Sequence, residues 1–268
     1  MHPSSGASRF QNKTAVITGA ASGIGRATAL RLAAEGANIV GVDLAEDGLS
    51  DLAAAVQTLG QHCEKIAGSV ADLGVIARAI ARAVDALGGL DCLVNNAGVG
   101  GPMRPFDSIK PEEFDMMVAI NLKPVWYAMT LARAPMRIRG KGTIVNVASM
   151  AGLRPNRNHA LYGMTKAAVI SLTEHAAMDY AADNIRVNCL CPGPVDTPIF
   201  EQMRDNLGSD AYEAARRRIT QRTLMNRFGS ADEQAAAIAY LLSDEASFTT
   251  GITMPVDGGW SISDGRVR

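Results

Sequence analysis

Short apolar runs of strand length recur along the chain at residues 14–19, 38–43, 65–70, 90–96, 142–149, 184–193 and 251–259. Most are near-continuous rather than alternating, which suits strands covered on both faces, as in a parallel sheet. Between them lie Ala- and Leu-rich segments with helical spacing, such as "IGRATALRLAAEG". A parallel connection needs a crossover of a dozen or more residues and is right-handed in nearly all cases. The alternation therefore predicts an α/β protein built on one doubly wound parallel sheet of about seven strands, with helices on both faces. No linker marks a second domain, so a loose tail is expected at residues 1–12 and a single domain over 13–268. Residues 199–230 break the rhythm: they are polar, helical in composition and an insertion by length, which predicts a lid.

Charge changes the picture mainly by exclusion. A net charge of -1 with 20% charged residues leaves no basic footprint for a phosphate backbone, so nucleic acid is not expected as a partner. The first ten residues lack the apolar centre of a leader, and no run approaches the roughly 18 apolar residues of a membrane span. A soluble, cytoplasmic protein is the expectation. Cys63, Cys92, Cys189 and Cys191 lie in apolar segments without a CxxC pair, and His2, His62, His159 and His175 show no ligand spacing. Buried thiols and no metal site are expected. The run Arg216, Arg217, Arg218 reads either as a solvated helix face or as a docking patch for an acidic carrier or substrate group.

"TGAASGIG" stands at the end of the first expected strand, so Gly19, Gly23 and Gly25 fall where the chain turns sharply into a helix. Glycine suits that place because positive φ costs it little and no Cβ keeps a diphosphate from the backbone N–H groups. Strand before and helix after favour a dinucleotide site over a plain tight turn. Asp43 ends the second strand 18 residues past Gly25, near the spacing of about 20 for a carboxylate that accepts hydrogen bonds from the adenosine ribose. A 2'-phosphate there would meet like charge, and Ser22 and Leu44 offer no cation, so NAD(H) is expected over NADP(H). The other reading of Asp43 is a capping residue before "LAEDGL".

Tyr162 and Lys166 are four residues apart in "LYGMTKAAV", and of the five tyrosines only Tyr162 has lysine at that spacing. Residues at i and i+4 share a helix face, so the ammonium is expected near the phenol oxygen. Lowering a tyrosine from its usual value near 10 by around 3 units, roughly 4 kcal/mol, would let it exchange protons at neutral pH. Ser149 ends the fifth expected strand, at the edge where ligands of open α/β folds bind. Alone it reads as a helix cap; thirteen residues before Tyr162 it reads as the group that holds a substrate oxygen.

These motifs resemble the short-chain dehydrogenase/reductase superfamily. The resemblance runs in order through "TGAASGIG", "NNAG", Asn121 in "INL", "VASMAG", "YGMTK", "PGPVDTP" and "DGG", over most of the chain. It implies a Rossmann-like fold and hydride transfer between a secondary alcohol and NAD. Tyr162 is then the general acid/base, with Lys166 lowering its pKa and binding the nicotinamide ribose. Ser149 positions the substrate oxygen, and Asn121 supports a water that leads from Lys166 to solvent. Without the resemblance, Asn121 reads as a local helix distortion. The implied cofactor contacts are Gly19, Ser22, Gly23, Ile24, Gly25, Asp43, Asn95, Ala97, Gly98, Tyr162, Lys166, Pro192, Gly193, Val195 and Thr197. One departure concerns the third strand, where the family usually has aspartate against the adenine: this chain has Ser69 before Val70, and Asp72 reads as a helix cap.

Alternatives are a 3-oxoacyl-thioester reductase of the same family and a non-catalytic nicotinamide-binding regulator. The segments around residues 107–136 and 161–182 carry more apolar surface than one sheet face can cover, which predicts a homo-oligomer, a tetramer or dimer.

Overall fold

The computed structural model describes residues 8–197 and 208–263. Its strands are β1 (Thr14–Thr18), β2 (Asn38–Asp43), β3 (Cys63–Ala67), β4 (Cys92–Asn95), β5 (Gly142–Val147), β6 (Ile185–Pro192) and β7 (Thr253–Val256). They pair in the order β3-β2-β1-β4-β5-β6-β7, and every pair is parallel. The helices are α1 (Gly23–Ala34), α2 (Glu46–Thr58), α3 (Leu73–Leu87), α4 (Pro111–Asn121), α5 (Lys123–Ile138), α6 (Met150–Leu153), α7 (Ala160–Tyr180), α8 (Ser209–Thr220) and α9 (Ala231–Leu242). Among the described residues no helix is long and apolar enough to cross a membrane.

The near-continuous apolar strands are explained by the two cores they feed. Val16, Val40, Leu93 and Ile144 pack toward α3, α5 and α7. Their neighbours Ala15, Ile39, Val94 and Val145 pack toward α1, α2 and α9. Successive side chains of a strand point to opposite faces, so a strand covered on both sides needs apolar residues at every position.

Two expected boundaries move for physical reasons. β3 begins at Cys63 and stops at Ala67, ahead of the apolar run, because it is an edge strand paired from Ile39↔Cys63 to Asp43↔Ala67 and only partly buried. Gly68, at φ +149°, turns the chain out of the sheet. The long segment over 107–136 is two helices, broken at Leu122 (φ -122°, ψ -58°). Pro124 sits in the first turn of α5, where its missing N–H is one the helix leaves unbonded anyway.

The expectation of a loose tail over residues 1–12 is corrected for residues 8–12. Phe10 is 2% exposed, and Arg9 bonds Glu35 at 2.5 Å and Glu245 at 2.8 Å. An aromatic ring supplies enough apolar surface to hold even a polar segment down. Residues 1–7 lie outside the described residues. So do residues 198–207 of the expected insertion; the rest contains α8 and a return segment fastened by the parallel bridge Val195↔Gly229. Replacing Phe10 by Ala is expected to lower stability by about 3 kcal/mol, read as a drop in the urea midpoint with an unchanged m-value.

Candidate active site

All strands run the same way, so the loops that follow them emerge along one edge of the sheet. In open α/β sheets ligands bind there, where the strand order reverses. The reversal falls between β1 and β4.

The turn after β1 puts Gly19 at φ +67° and Gly23 at φ +51°. A Cβ on Gly25 would overlap the Gly19 carbonyl oxygen and lie 2.6 Å from Asn96 Nδ2, so only glycine lets α1 start this close to β1. Asn96 Nδ2 donates to the carbonyls of Thr18 at 3.0 Å and Gly19 at 3.2 Å. Thr18 Oγ1 accepts from the N–H groups of Asn96 and Ala97, both at 3.0 Å. Thr18 and Asn96, which the sequence reading did not single out, thus lock the glycine turn to the "NNAG" loop.

Ser22 is the N-cap of α1, yet its side chain makes no capping bond and the first turn holds no acidic residue. Ile24 lies in that uncompensated turn. Free N–H groups and the positive end of the helix fit a bound anion such as a diphosphate. Asp43 Oδ2 accepts from Ala21 N at 3.0 Å and Oδ1 from Ala45 N at 3.1 Å. The carboxylate braces the turn and keeps lone pairs for further donors. Leu44 beside it is 74% exposed.

Asn95 requires a correction. It is buried, and its Nδ2 donates to Asn146 Oδ1 at 2.8 Å. Asn146 Nδ2 in turn donates to Thr173 Oγ1 on α7 at 2.9 Å. Strand alternation aims Asn95 into the sheet's helix-covered face, not along the cleft edge. Ser69 Oγ accepts from Ala71 N at 3.2 Å, which commits it to a local turn, and Val70 packs into the core. Asp72 caps α3, accepting from Gly74 N at 2.9 Å. After β6, Pro192 ends the strand, Gly193 N donates to Val256 O at 3.1 Å, Val195 bridges Gly229, and Thr197 Oγ1 donates to Val195 O at 3.3 Å.

Ser149 is the N-cap of α6, accepting from Ala151 N at 3.1 Å, and its hydroxyl acts on the Tyr162 phenol, favouring the ionised form. Tyr162 lies in the first turn of α7 and Lys166 one turn on. The Lys166 ammonium donates to Val147 O at 2.9 Å and lies 5.7 Å from the centre of the Tyr162 ring. A Cβ on Gly98 would come within 3.4 Å of Lys166 Nζ and 3.1 Å of Asn121 Oδ1. Asn121 ends α4 at the helix break, and its side chain grips Val99 from both sides: Oδ1 accepts from Val99 N and Nδ2 donates to Val99 O, each at 2.9 Å.

Burial pushes the Tyr162 phenol above its ordinary value, and the Ser149 hydroxyl offsets part of that. The Lys166 ammonium is turned to the Val147 carbonyl. Burial pulls Lys166 itself down to about 8. Among the described residues no group of three or more His, Cys, Asp or Glu is placed to hold a metal.

Arg216 is not a free member of a basic face. It bonds Asp196 of the "PGPVDTP" loop at 2.6 and 3.1 Å and lies 4.2 Å over the Phe228 ring. Arg217 and Arg218 are exposed.

A dinucleotide cleft with serine, tyrosine and lysine at the ends of β5 and α7 defines a nicotinamide-linked oxidoreductase. A family model described as enoyl-(acyl carrier protein) reductase matches residues 19–261, and the chain belongs to the short-chain dehydrogenase/reductase superfamily. It is 36% identical to levodione reductase of Leifsonia aquatica over 96% of this chain and 97% of that one. A crystal structure of levodione reductase superposes with a TM-score of 0.89, covering 94% of this chain and 98% of the other. NAD+-bound xylitol dehydrogenase matches at 33% identity and a TM-score of 0.88, over 93% and 99%. A 3-oxoacyl-[acyl-carrier-protein] reductase of Thermotoga maritima is 35% identical over 94% of this chain and 98% of the relative.

The depressed lysine sets a pH dependence. Lys166 titrates at about 8 in the folded protein and at 10.5 when unfolded, so between those values the unfolded chain binds more protons and stability rises with pH. Below about 8 the buried charge opposes folding in full. Cofactor-free protein should therefore gain on the order of 3 kcal/mol through Lys166 between pH 7.5 and 10.5. Urea denaturation compared with Lys166→Met should show that gain only in the wild type.

Proposed function

We propose that Ser149, Tyr162, Lys166 and Asn121 carry the proton chemistry of a reversible oxidation of a secondary alcohol to a ketone with NAD(H). The observation that carries this reading is the buried Lys166 ammonium 5.7 Å from the Tyr162 ring, packed with Asn121 against Gly98 at the end of β5. Gly19, Ser22, Gly23, Ile24 and Gly25 would hold the diphosphate, Asp43 the adenosine ribose, and Ser69 and Val70 the adenine. Ala97, Gly98, Pro192, Gly193, Val195, Thr197, Tyr162 and Lys166 would line the nicotinamide end. When bound, the nicotinamide supplies the hydride acceptor or donor.

The chain's own residues handle the proton. Ser149 holds the substrate oxygen against Tyr162. In ketone reduction the neutral phenol, favoured by burial, donates its proton to that oxygen. In alcohol oxidation the phenol must first lose its proton, and a charged Lys166 one turn away stabilises the phenolate. Asn121, which pins Val99 next to Lys166, supports a water that passes the proton toward solvent.

The thioester-reductase reading needs a basic docking face, and Arg216 is already committed to Asp196; this favours the simple alcohol. Phe114, Trp126 and Met178 leave apolar surface on α4, α5 and α7, which supports self-association through those helices.

In a panel of secondary alcohols followed by absorbance of the reduced nicotinamide, Tyr162→Phe is expected to keep NADH affinity and to lose at least ~1,000-fold in turnover. Undiminished turnover removes the phenol from the mechanism. The double variant Asp43→Ala, Leu44→Arg is expected to move the NAD/NADP preference by at least ~10-fold toward NADP, since it removes the repelling carboxylate and adds a cation. Kinetics with both cofactors measure it.

A further inference from the structure

His159 belongs to no part of the chemistry assigned above, yet its ring lies on the Tyr162 ring. The centroids are 4.7 Å apart and the planes 15° from parallel. His159 Nε2 is 2.9 Å from the Gly100 carbonyl oxygen. A carbonyl only accepts, so Nε2 carries the proton and Nδ1 is bare in the neutral ring. Burial favours that neutral form.

The backbone is bent to make this possible. Asn158 takes the left-handed conformation at φ +63°, and its carbonyl accepts from Arg104 N at 2.9 Å. His159 then occupies the N-cap of α7 without capping it, a position where Ser, Thr, Asp or Asn would satisfy the helix. A cap given up for a ring stack and a long-range bond marks a local rule broken for a site.

The two contacts join the loop after β4 to the first turn of α7. Gly100 and Arg104 lie in the loop after β4, whose Val99 is held by Asn121; Tyr162 is the proton donor of the proposed reaction. We infer that His159 is a positioning residue that fastens the 98–106 loop, which follows β4 and meets Asn121 and Lys166 at Gly98, to the face of the Tyr162 ring. The loop bond sets how tightly the alcohol or ketone is held, and the stack sets the plane in which the phenol meets the substrate oxygen. This rests on the alcohol–ketone reading of the site.

Two substitutions separate the contacts. His159→Phe keeps a ring over Tyr162 and loses the donor to Gly100. His159→Gln keeps an N–H at a similar reach and loses the stack. The expected result is at least a 10-fold rise in KM for the alcohol in His159→Phe with kcat within 3-fold of wild type. In His159→Gln, KM should return to within 3-fold and kcat should fall at least 10-fold. NADH affinity, from fluorescence titration, should be unchanged in both. Wild-type kinetics in His159→Phe, no recovery of KM in His159→Gln, or a parallel loss of NADH affinity overturns the inference. A readout independent of turnover is the imidazole 15N spectrum of the cofactor-free protein, expected to show Nε2 protonated and Nδ1 bare. The opposite tautomer overturns the inference even if no alcohol is oxidised, whereas an inactive wild type with the expected spectrum counts only against the alcohol–ketone reading.

Discussion

An ammonium group held away from water at the end of β5 is the constraint around which this edge of the molecule is arranged. Lys166 is 4% exposed, and a buried cation without an acceptor is among the most destabilising things a fold can contain. The acceptor is the Val147 carbonyl, available because β5 ends there. The space is made by Gly98, and the floor is held by Asn121 through both amide groups of Val99. Burial acts on the pair in opposite senses: it makes Lys166 easier to deprotonate and Tyr162 harder. Both effects favour the neutral form of each group, which suits the phenol to donating a proton.

The architecture was legible in the sequence because a doubly covered strand leaves a simple mark, an unbroken apolar run, and six of the seven strands carry it clearly. β3 was displaced because an edge strand half in solvent admits Glu64 and Lys65 into its pairing register, which the apolar run does not show. The glycine turn, Ser149, Tyr162 and Lys166 were legible because the spacing itself is the chemistry: two residues one helical turn apart must share a face. What stayed hidden depended on direction rather than position. Asn95 and Asn96 are indistinguishable in sequence, but strand alternation turns the first into the sheet and leaves the second to bind the Thr18 and Gly19 carbonyls. The i,i+4 spacing also says nothing of the Val147 carbonyl, which the Lys166 ammonium bonds. His159 lacked a ligand pattern and showed its role only through a ring contact and a bond across 59 residues.

Several helix starts differ in how their first N–H groups are satisfied. Away from the cleft, α3 is capped by Asp72 and α9 by the Ser230–Glu233 box, and α4 is closed by Glu113 reaching back to Lys110 N at 2.9 Å. At the cleft, α1 starts at Ser22 and α7 at His159, and neither side chain caps its helix. Serine is among the best caps, so at Ser22 it is the geometry rather than the residue type that leaves the N–H groups free. At α1 the unsatisfied donors point to where an anion belongs; at α7 the capping position is given to a ring that holds the phenol. An open start alone does not make a site, since α2, α5 and α8 also begin without a side-chain cap; what sets α1 apart is the glycine turn before it, with Gly19 and Gly23 at positive φ, which brings backbone N–H groups within reach of an anion.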